Sequence, residues 1–215
     1  MGRTLAEHES LALLAARGVP VVDERVVDSP EGARAAAADL ARPVVVKLTG
    51  PAVTHKTERG LVRLGVRTPD DAARAAGELL AAAGPDDGPV QLVVAPMVAG
   101  ARELIAGAHR DAQFGPCVMV GIGGVLAETV ADVAVRLAPL DPVDAEDMLD
   151  ELRGAALLGP VRGEPPVDRT RVAAVLLALS ALAVERADLV SVDINPLLIA
   201  DGVPVAVDAL VELQA

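Results

Sequence analysis

The run LVSVDINPLLIADGVPVAVDAL, Leu189 to Leu210, is almost wholly apolar, and Asp193, Asn195 and Asp208 stand out within it. Asp201-Gly202 is a strong two-residue hairpin signal, because the favoured turn needs a left-handed backbone at both central positions. With Ala200 facing Val203, opposite residue numbers sum to 403, and Asn195 lies across from Asp208. Asp193 shares their face, since side chains alternate along a strand. Directly opposed Cβ atoms lie about 4.5–5.5 Å apart, close enough for an amide oxygen and a carboxylate to grip one hard cation. Magnesium suits such a site, because it takes one or two carboxylates together with substrate phosphates. A solvated polar face on an edge hairpin fits the same spacing, and a one-residue slip would turn Asp208 away.

Other residues bear chemistry less specifically. Lys47 sits at the end of the apolar run PVVVKL, where an ammonium either reaches back to solvent or faces an anion pocket. The loop THKTERG places His55 and Lys56 among hydroxyls and a glycine, as a phosphate-facing loop or as ordinary surface. VGIGGVL brings Gly123 and Gly124 after a strand; it allows close backbone approach to a phosphate but lacks the dinucleotide fingerprint. His8 and His109 have no partners at metal-ligand spacing. Cys117 lies in an apolar strand that disfavours a thiolate.

The composition excludes several classes. The chain has 215 residues, a formal net charge of -12, one Phe and no Trp or Tyr. That length buries roughly 70% of the unfolded surface. Small aliphatics can pack a core, but base-stacking modules and aromatic cages lack their residues. The acid excess opposes a polyanionic nucleic-acid partner. One cysteine leaves no internal disulfide and points to a reducing cytoplasm. The opening MGRTLAEHES has charges where a signal peptide needs an apolar core, and no run approaches the roughly 20 apolar residues of a membrane span. A soluble cytoplasmic protein, with neither nucleic acid nor membrane as partner, is expected.

Strands and helices alternate irregularly. A helix over 4–17 is predicted from Thr4 and Glu7, spaced as a capping box, with Gly18 as its stop. SPEGARAAAADL and TPDDAARAAGELLAAAG each begin with a capping hydroxyl followed by proline, DPVDAEDMLDELRG is an acid-started helix, and 168–187 reads as a long Ala/Leu helix. The Pro/Gly/Asp cluster at 84–89 is the expected joint between a small lobe, 19–88, and a central lobe, 89–215, of one unit spanning 1–215.

Taken together the segments resemble the ATP-grasp β subunit of ADP-forming acetyl-CoA (acyl-CoA) synthetases, a relative of the succinyl-CoA synthetase β subunit. PVVVKLTGPAVTHKTERGLVRLGV looks like the family's stretch from its phosphate-binding lysine through its His-Lys loop. RELIAGAHRDAQFGPCVMVGIGGVLAETVADVAVRLAPL matches its Glu, Asp, Phe-Gly-Pro, Gly-x-Gly-Gly, Glu and Asp in order, and LLGPVRGEPPVD and DINPL…VAVDA match its last motifs. The resemblance implies an α+β (mixed α/β) bilobed ATP-grasp fold, with the nucleotide between two mostly antiparallel sheets. It implies ATP/ADP and magnesium as cofactors. Lys47 and Lys56 would meet the phosphates, with Met97, Glu103, Gly123 and Gly124 toward the nucleotide. Asn195 and Asp208 would hold magnesium, with Asp193 beside them, and His55 would carry a phosphoryl group in transit. The implied reaction joins a small carboxylic acid to coenzyme A with ATP, coenzyme A being bound only through a separate α subunit. A nucleotide-binding regulatory partner without turnover, and a ligase making an amide from another carboxylate, are the other readings. The chain departs from the family pattern at Leu61, Pro96 and Ser191: Leu61 replaces a glycine and is expected to thicken the loop over the phosphates, and Pro96 replaces a hinge Glu.

Overall fold

The computed structural model describes residues 2–41, 43–50, 52–53, 56–124, 131–161 and 163–214. The chain divides into two compact units, one of residues 6–8 and 22–97, the other of residues 1–5, 9–21 and 98–215. The division falls after Met97 and not at the cluster 84–89. The reason is pairing: β5 (Gln91–Pro96) hydrogen-bonds on one side to β3 (Val44–Thr49) and on the other to β2 (Arg25–Val27), so it is inseparable from the first unit's sheet.

That sheet has four antiparallel strands in the order β2-β5-β3-β4, with β4 covering Val62–Val66. Helices α2 (Pro30–Leu40) and α3 (Pro69–Ala81) pack against it. Both start as their sequences dictate. Ser29 Oγ accepts from Gly32 N–H at 3.2 Å and Thr68 Oγ1 from Asp71 N–H at 3.1 Å, with Pro30 and Pro69 in the first turns. Their inward faces are small: Ala33, Ala36, Ala72, Ala75 and Ala76 meet Val44, Val46, Leu48, Leu92 and Val94. A core without aromatics closes here because alanine lets helix and sheet approach closely.

The second unit is built on a seven-stranded antiparallel sheet. Its main path is β1 (Arg3–Thr4), β11 (Ala209–Leu213), β9 (Leu189–Ala200), β6 (Arg102–Asp111), β7 (Gly115–Ile122) and β8 (Val133–Leu137), with β10 (Val203–Ala206) also paired to β9. Helix α5 (Arg169–Glu185) packs on β6 and β7, and α4 (Pro142–Asp150) packs on α5 and β8. Asp141 caps α4 through the N–H groups of Val143 and Asp144, and Asp168 caps α5 through Arg171 N–H. Helix α1 runs from Glu7 to Ala15, shorter than the expected 4–17, because Thr4 is taken by β1, where it pairs with Glu212. Among the described residues no helix is long and apolar enough to cross a membrane.

In the first unit, the stretch after β3 is pinned at its far end. Arg59 grips Asp87 with two parallel bonds, 2.7 and 2.8 Å, and Asp87 also accepts from Gly84 N–H at 2.7 Å. The Arg59 guanidinium and that N–H lower the Asp87 carboxyl to about 2. A depressed carboxyl stabilises the fold above its unfolded value, about 3.9, and the contribution fades as pH falls from there toward 2. Asp87→Asn is therefore expected to lower the Tm at pH 7, with the gap to wild type closing between about pH 4 and pH 2. Thermal unfolding of both proteins across that range checks it.

Candidate nucleotide and metal site

The C-terminal hairpin forms as its turn residues require. Asp201 and Gly202 both take positive φ, 49° and 83°, and Val203 faces Ala200. A side chain at 202 would also collide with the carbonyl of Pro166, at 2.6 Å. The register of 403 holds from Val203↔Ala200 to Ala206↔Leu197 and resumes in β11, from Ala209↔Ile194 to Glu212↔Ser191. Between the two stretches, Asn195 N–H donates to the Asp208 carbonyl at 3.3 Å, so these residues do face each other.

The two sides of the hairpin change face together. Val192 and Ile194 are buried in β9, and then Leu197 and Ile199; across from them it is Val211 and Ala209, then Ala206 and Pro204. The burial parity switches at Asn195-Pro196 on one side and Val207-Asp208 on the other, where β6 also slips one residue against β9. Asp193 and Asn195 precede the switch and point out of the core together. The Asn195–Pro196 peptide is cis.

Asp193 and Asn195 are exposed and Asp208 is half-buried. Even so, the surrounding protein strips part of the hydration from the Asp193 carboxyl, and the Asp208 carboxylate adds like-charge repulsion; both raise Asp193 above its ordinary value. Two mutually repelling carboxylates and an amide form an all-oxygen donor set that fits a hard divalent cation.

Glu103, at the start of β6, and Gly123, at the end of β7, are brought into contact. Gly123 N–H donates to the Glu103 carbonyl at 2.8 Å, and a Cβ at 123 would stand 3.0 Å from that same group. Gly124 follows with φ of 96°. Glu103 and Gly123 line a cavity of about 340 Å³ whose apolar wall includes Leu104, Ile122, Leu158 and Ile199. Arg102, which sequence reading passed over, also lines the cavity, and Asp132, the last acid of the matched motif series, lies outside its lining. Arg102 is buried and donates to the carbonyls of Leu157 (3.2 Å), Gly159 (2.9 Å) and Pro165 (2.5 Å) while pairing with Glu164 at 3.1 Å. Asp132 is buried and accepts from Arg153 N–H at 2.9 Å and Gly154 N–H at 2.7 Å. Burial works against the Asp132 charge, and those two N–H groups with the Arg153 guanidinium outweigh it, so its carboxyl lies below the usual range. An arginine opening an otherwise apolar strand was the available signal for Arg102.

In the first unit, Lys47 lies within β3 with its side chain 11% exposed, and its Nζ donates to Glu7 Oε1 at 2.6 Å. Lys56 pairs with the other oxygen of Glu7. Glu7 is thus a buried counter-ion and not the helix cap its spacing from Thr4 suggested. Leu61 is also corrected: it is 1% exposed, in the core with Val53, Leu48 and Leu92, so its bulk points inward and does not thicken the loop surface. Met97 is partly exposed just after β5, its N–H bonded to the Pro43 carbonyl at 2.8 Å. His55 lies outside the described residues.

Two antiparallel sheets, one carrying a lysine pair and the other an oxygen-donor hairpin and a glycine-walled cavity, define a class that comparison makes explicit. A family profile described as an ATP-grasp domain matches residues 1–213. The β subunit of ADP-forming acetate–CoA ligase I from Pyrococcus furiosus is 33% identical over 210 residues, covering 96% of this chain and 90% of that one. The ADP-forming acetate–CoA ligase I from Archaeoglobus fulgidus is 35% identical over 198 residues, 91% of this chain but 29% of that protein. Among solved structures, acetyl-coenzyme A synthetase 1 from Ca. Korarchaeum cryptofilum, in complex with coenzyme A and Ca-AMPCP, superposes with a TM-score of 0.92 at 32% identity, over 99% of this chain and 94% of that one. The chain belongs to the ATP-grasp family, on the branch of the ADP-forming acetate–CoA ligase β subunits.

The loop held by Arg102 is the part of the cavity wall most open to test. Removing a buried guanidinium strands three carbonyls and Glu164. Arg102→Met is expected to cost about 3 kcal/mol of stability, read as a lowered midpoint in urea unfolding with an unchanged slope. A loss under about 0.5 kcal/mol, the size of an ordinary surface substitution, would show that the loop holds itself.

Proposed function

We propose that this chain is the ATP-binding subunit of an ADP-forming acyl-CoA synthetase, which converts a carboxylic acid, coenzyme A and ATP into acyl-CoA, ADP and phosphate together with a coenzyme A-binding α partner. The observation that carries this reading is the hairpin register that sets Asn195 opposite Asp208 with Asp193 beside them. The family membership adds what those donors serve.

On this reading Asn195, Asp208 and Asp193 hold magnesium, which when bound supplies charge neutralisation of phosphate oxygens. Lys47 and Lys56 neutralise phosphate charge directly. Glu103, Gly123, Gly124 and Met97 lie toward the nucleotide, with aliphatic side chains serving where an aromatic is lacking. Phosphoryl transfer asks chiefly for positioning and charge stabilisation, which this residue set supplies. His55, as a neutral imidazole, accepts the phosphoryl group: a nitrogen–phosphorus bond forms as the bond from the γ-phosphorus to the bridging oxygen breaks, and ADP leaves. Acyl and coenzyme A chemistry then belongs to the partner. The lengths of the relatives support this division, since this chain matches nearly all of a β subunit and about a third of a longer ADP-forming ligase.

Two measurements test the reading. Asn195→Ala and Asp208→Ala are each expected to weaken magnesium–ATP binding about 10-fold or more in titration calorimetry, with Tm within a few degrees of wild type; unchanged affinity in both removes the metal assignment. In an assay of the chain mixed with a candidate α subunit, ATP, coenzyme A and a panel of acids, thioester should appear only with the partner. His55→Ala should abolish it while ATP binding persists, and an unaffected rate would return His55 to an ordinary loop role.

A further inference from the structure

Glu7 opens α1, and its side chain is 2% exposed. Its two oxygens are divided between two cations from different parts of the first unit: Oε1 accepts from Lys47 Nζ on β3, and Oε2 from Lys56 Nζ on the loop that follows. The ammonium-bearing side chains are themselves only 11% and 16% exposed. Burial opposes the Glu7 charge, yet the two ammoniums outweigh it and hold the carboxyl below its ordinary range. The trio carries one net positive charge, and its geometry answers a specific difficulty. Two lysines asked to meet one polyphosphate repel each other, and each must give up the rotamer freedom of a long stem. A carboxylate standing behind them offsets the repulsion and fixes both stems before any nucleotide arrives.

We propose that Glu7 is a positioning residue for phosphate binding: its buried carboxylate holds the Lys47 and Lys56 ammoniums side by side so that both engage one polyphosphate. The inference rests on the reading of those lysines as phosphate contacts. Glu7 itself touches no substrate, so its effect runs through them.

Titration calorimetry on the whole chain tests it, using magnesium with a non-hydrolysable ATP analogue, and adenosine as the phosphate-free control. Glu7→Gln is expected to weaken the analogue about 10-fold, the cost of immobilising a long side chain at binding, and to leave adenosine unchanged. Glu7→Asp, which keeps the charge on a shorter stem, should recover part of the loss. The double variant Glu7→Gln/Lys47→Met should bind the analogue no worse than Lys47→Met alone, since Glu7 acts through that lysine. Equal losses of analogue and adenosine, tracking a fall in Tm, would make Glu7 a structural ion pair and overturn the proposal. Undiminished or tighter analogue binding by Glu7→Gln would overturn it too, by showing that the added net positive charge matters more than placement. If Glu7→Gln does not fold, Glu7→Asp carries the same test, with weaker analogue and unchanged adenosine expected. If Lys47→Met binds the analogue like wild type, the phosphate reading itself fails and takes this inference with it.

Discussion

A single antiparallel register runs along one side of β9, and the candidate metal site exists because that register is kept across two different partner strands. β10 pairs with the second half of β9 and β11 with the first, both at the same offset set by the turn at Asp201-Gly202. The chain between β10 and β11 does not break the count, because both sides of the hairpin switch burial parity at the same level. A slip of one residue would move every buried side chain to the wrong face, exposing Val192, Ile194, Ala209 and Val211 to water. The apolar core and the opposition of Asn195 to Asp208 are therefore one constraint. A one-residue slip that turned Asp208 away would also turn the apolar set of the slipped strand out of the core.

Charge is handled in opposite ways by the two units. The protein carries -12 overall, a poor background for a triphosphate. In the four-stranded unit two ammoniums are drawn to one buried carboxylate. In the other unit Asp193 and Asp208 are held close enough to repel, and the divalent cation proposed there would relieve them. Fixed charges and dipoles arranged before a ligand arrives need no reorganisation when it binds.

Much of this was legible in the sequence, for identifiable reasons. Ser29, Thr68, Asp141 and Asp168 cap helices because their oxygens reach N–H groups two or three residues on, a local relation. The Asp-Gly turn and the hairpin register are local too. What escaped reading depends on residues far apart in the chain. Glu7 has the spacing of a cap, yet its partners lie 40 and 49 residues away. Arg102 serves carbonyls 55 to 63 residues on. The cluster 84–89 has the composition of a linker, but a 3-10 turn over Pro85–Asp87 makes it the anchor for Arg59. Leu61 looked like bulk added to a glycine loop because composition does not say which way a side chain points.

The stretch around Lys56 shows why that direction matters. Leu61 is embedded in the core and its carbonyl accepts from Leu48 N–H at 3.0 Å, so the end of the loop is tied to β3 one residue beyond Lys47. Its N–H closes back on the Lys56 carbonyl at 2.7 Å. Arg59 is fixed to Asp87, and Lys56 to Glu7. Residues 56–61, held by four such tethers, have little conformational entropy left to lose when a ligand arrives. Burial of the Leu61 side chain contributes about 2 kcal/mol and anchors the stretch that carries Lys56. A leucine expected to thicken the loop surface thus anchors the loop from the core beneath.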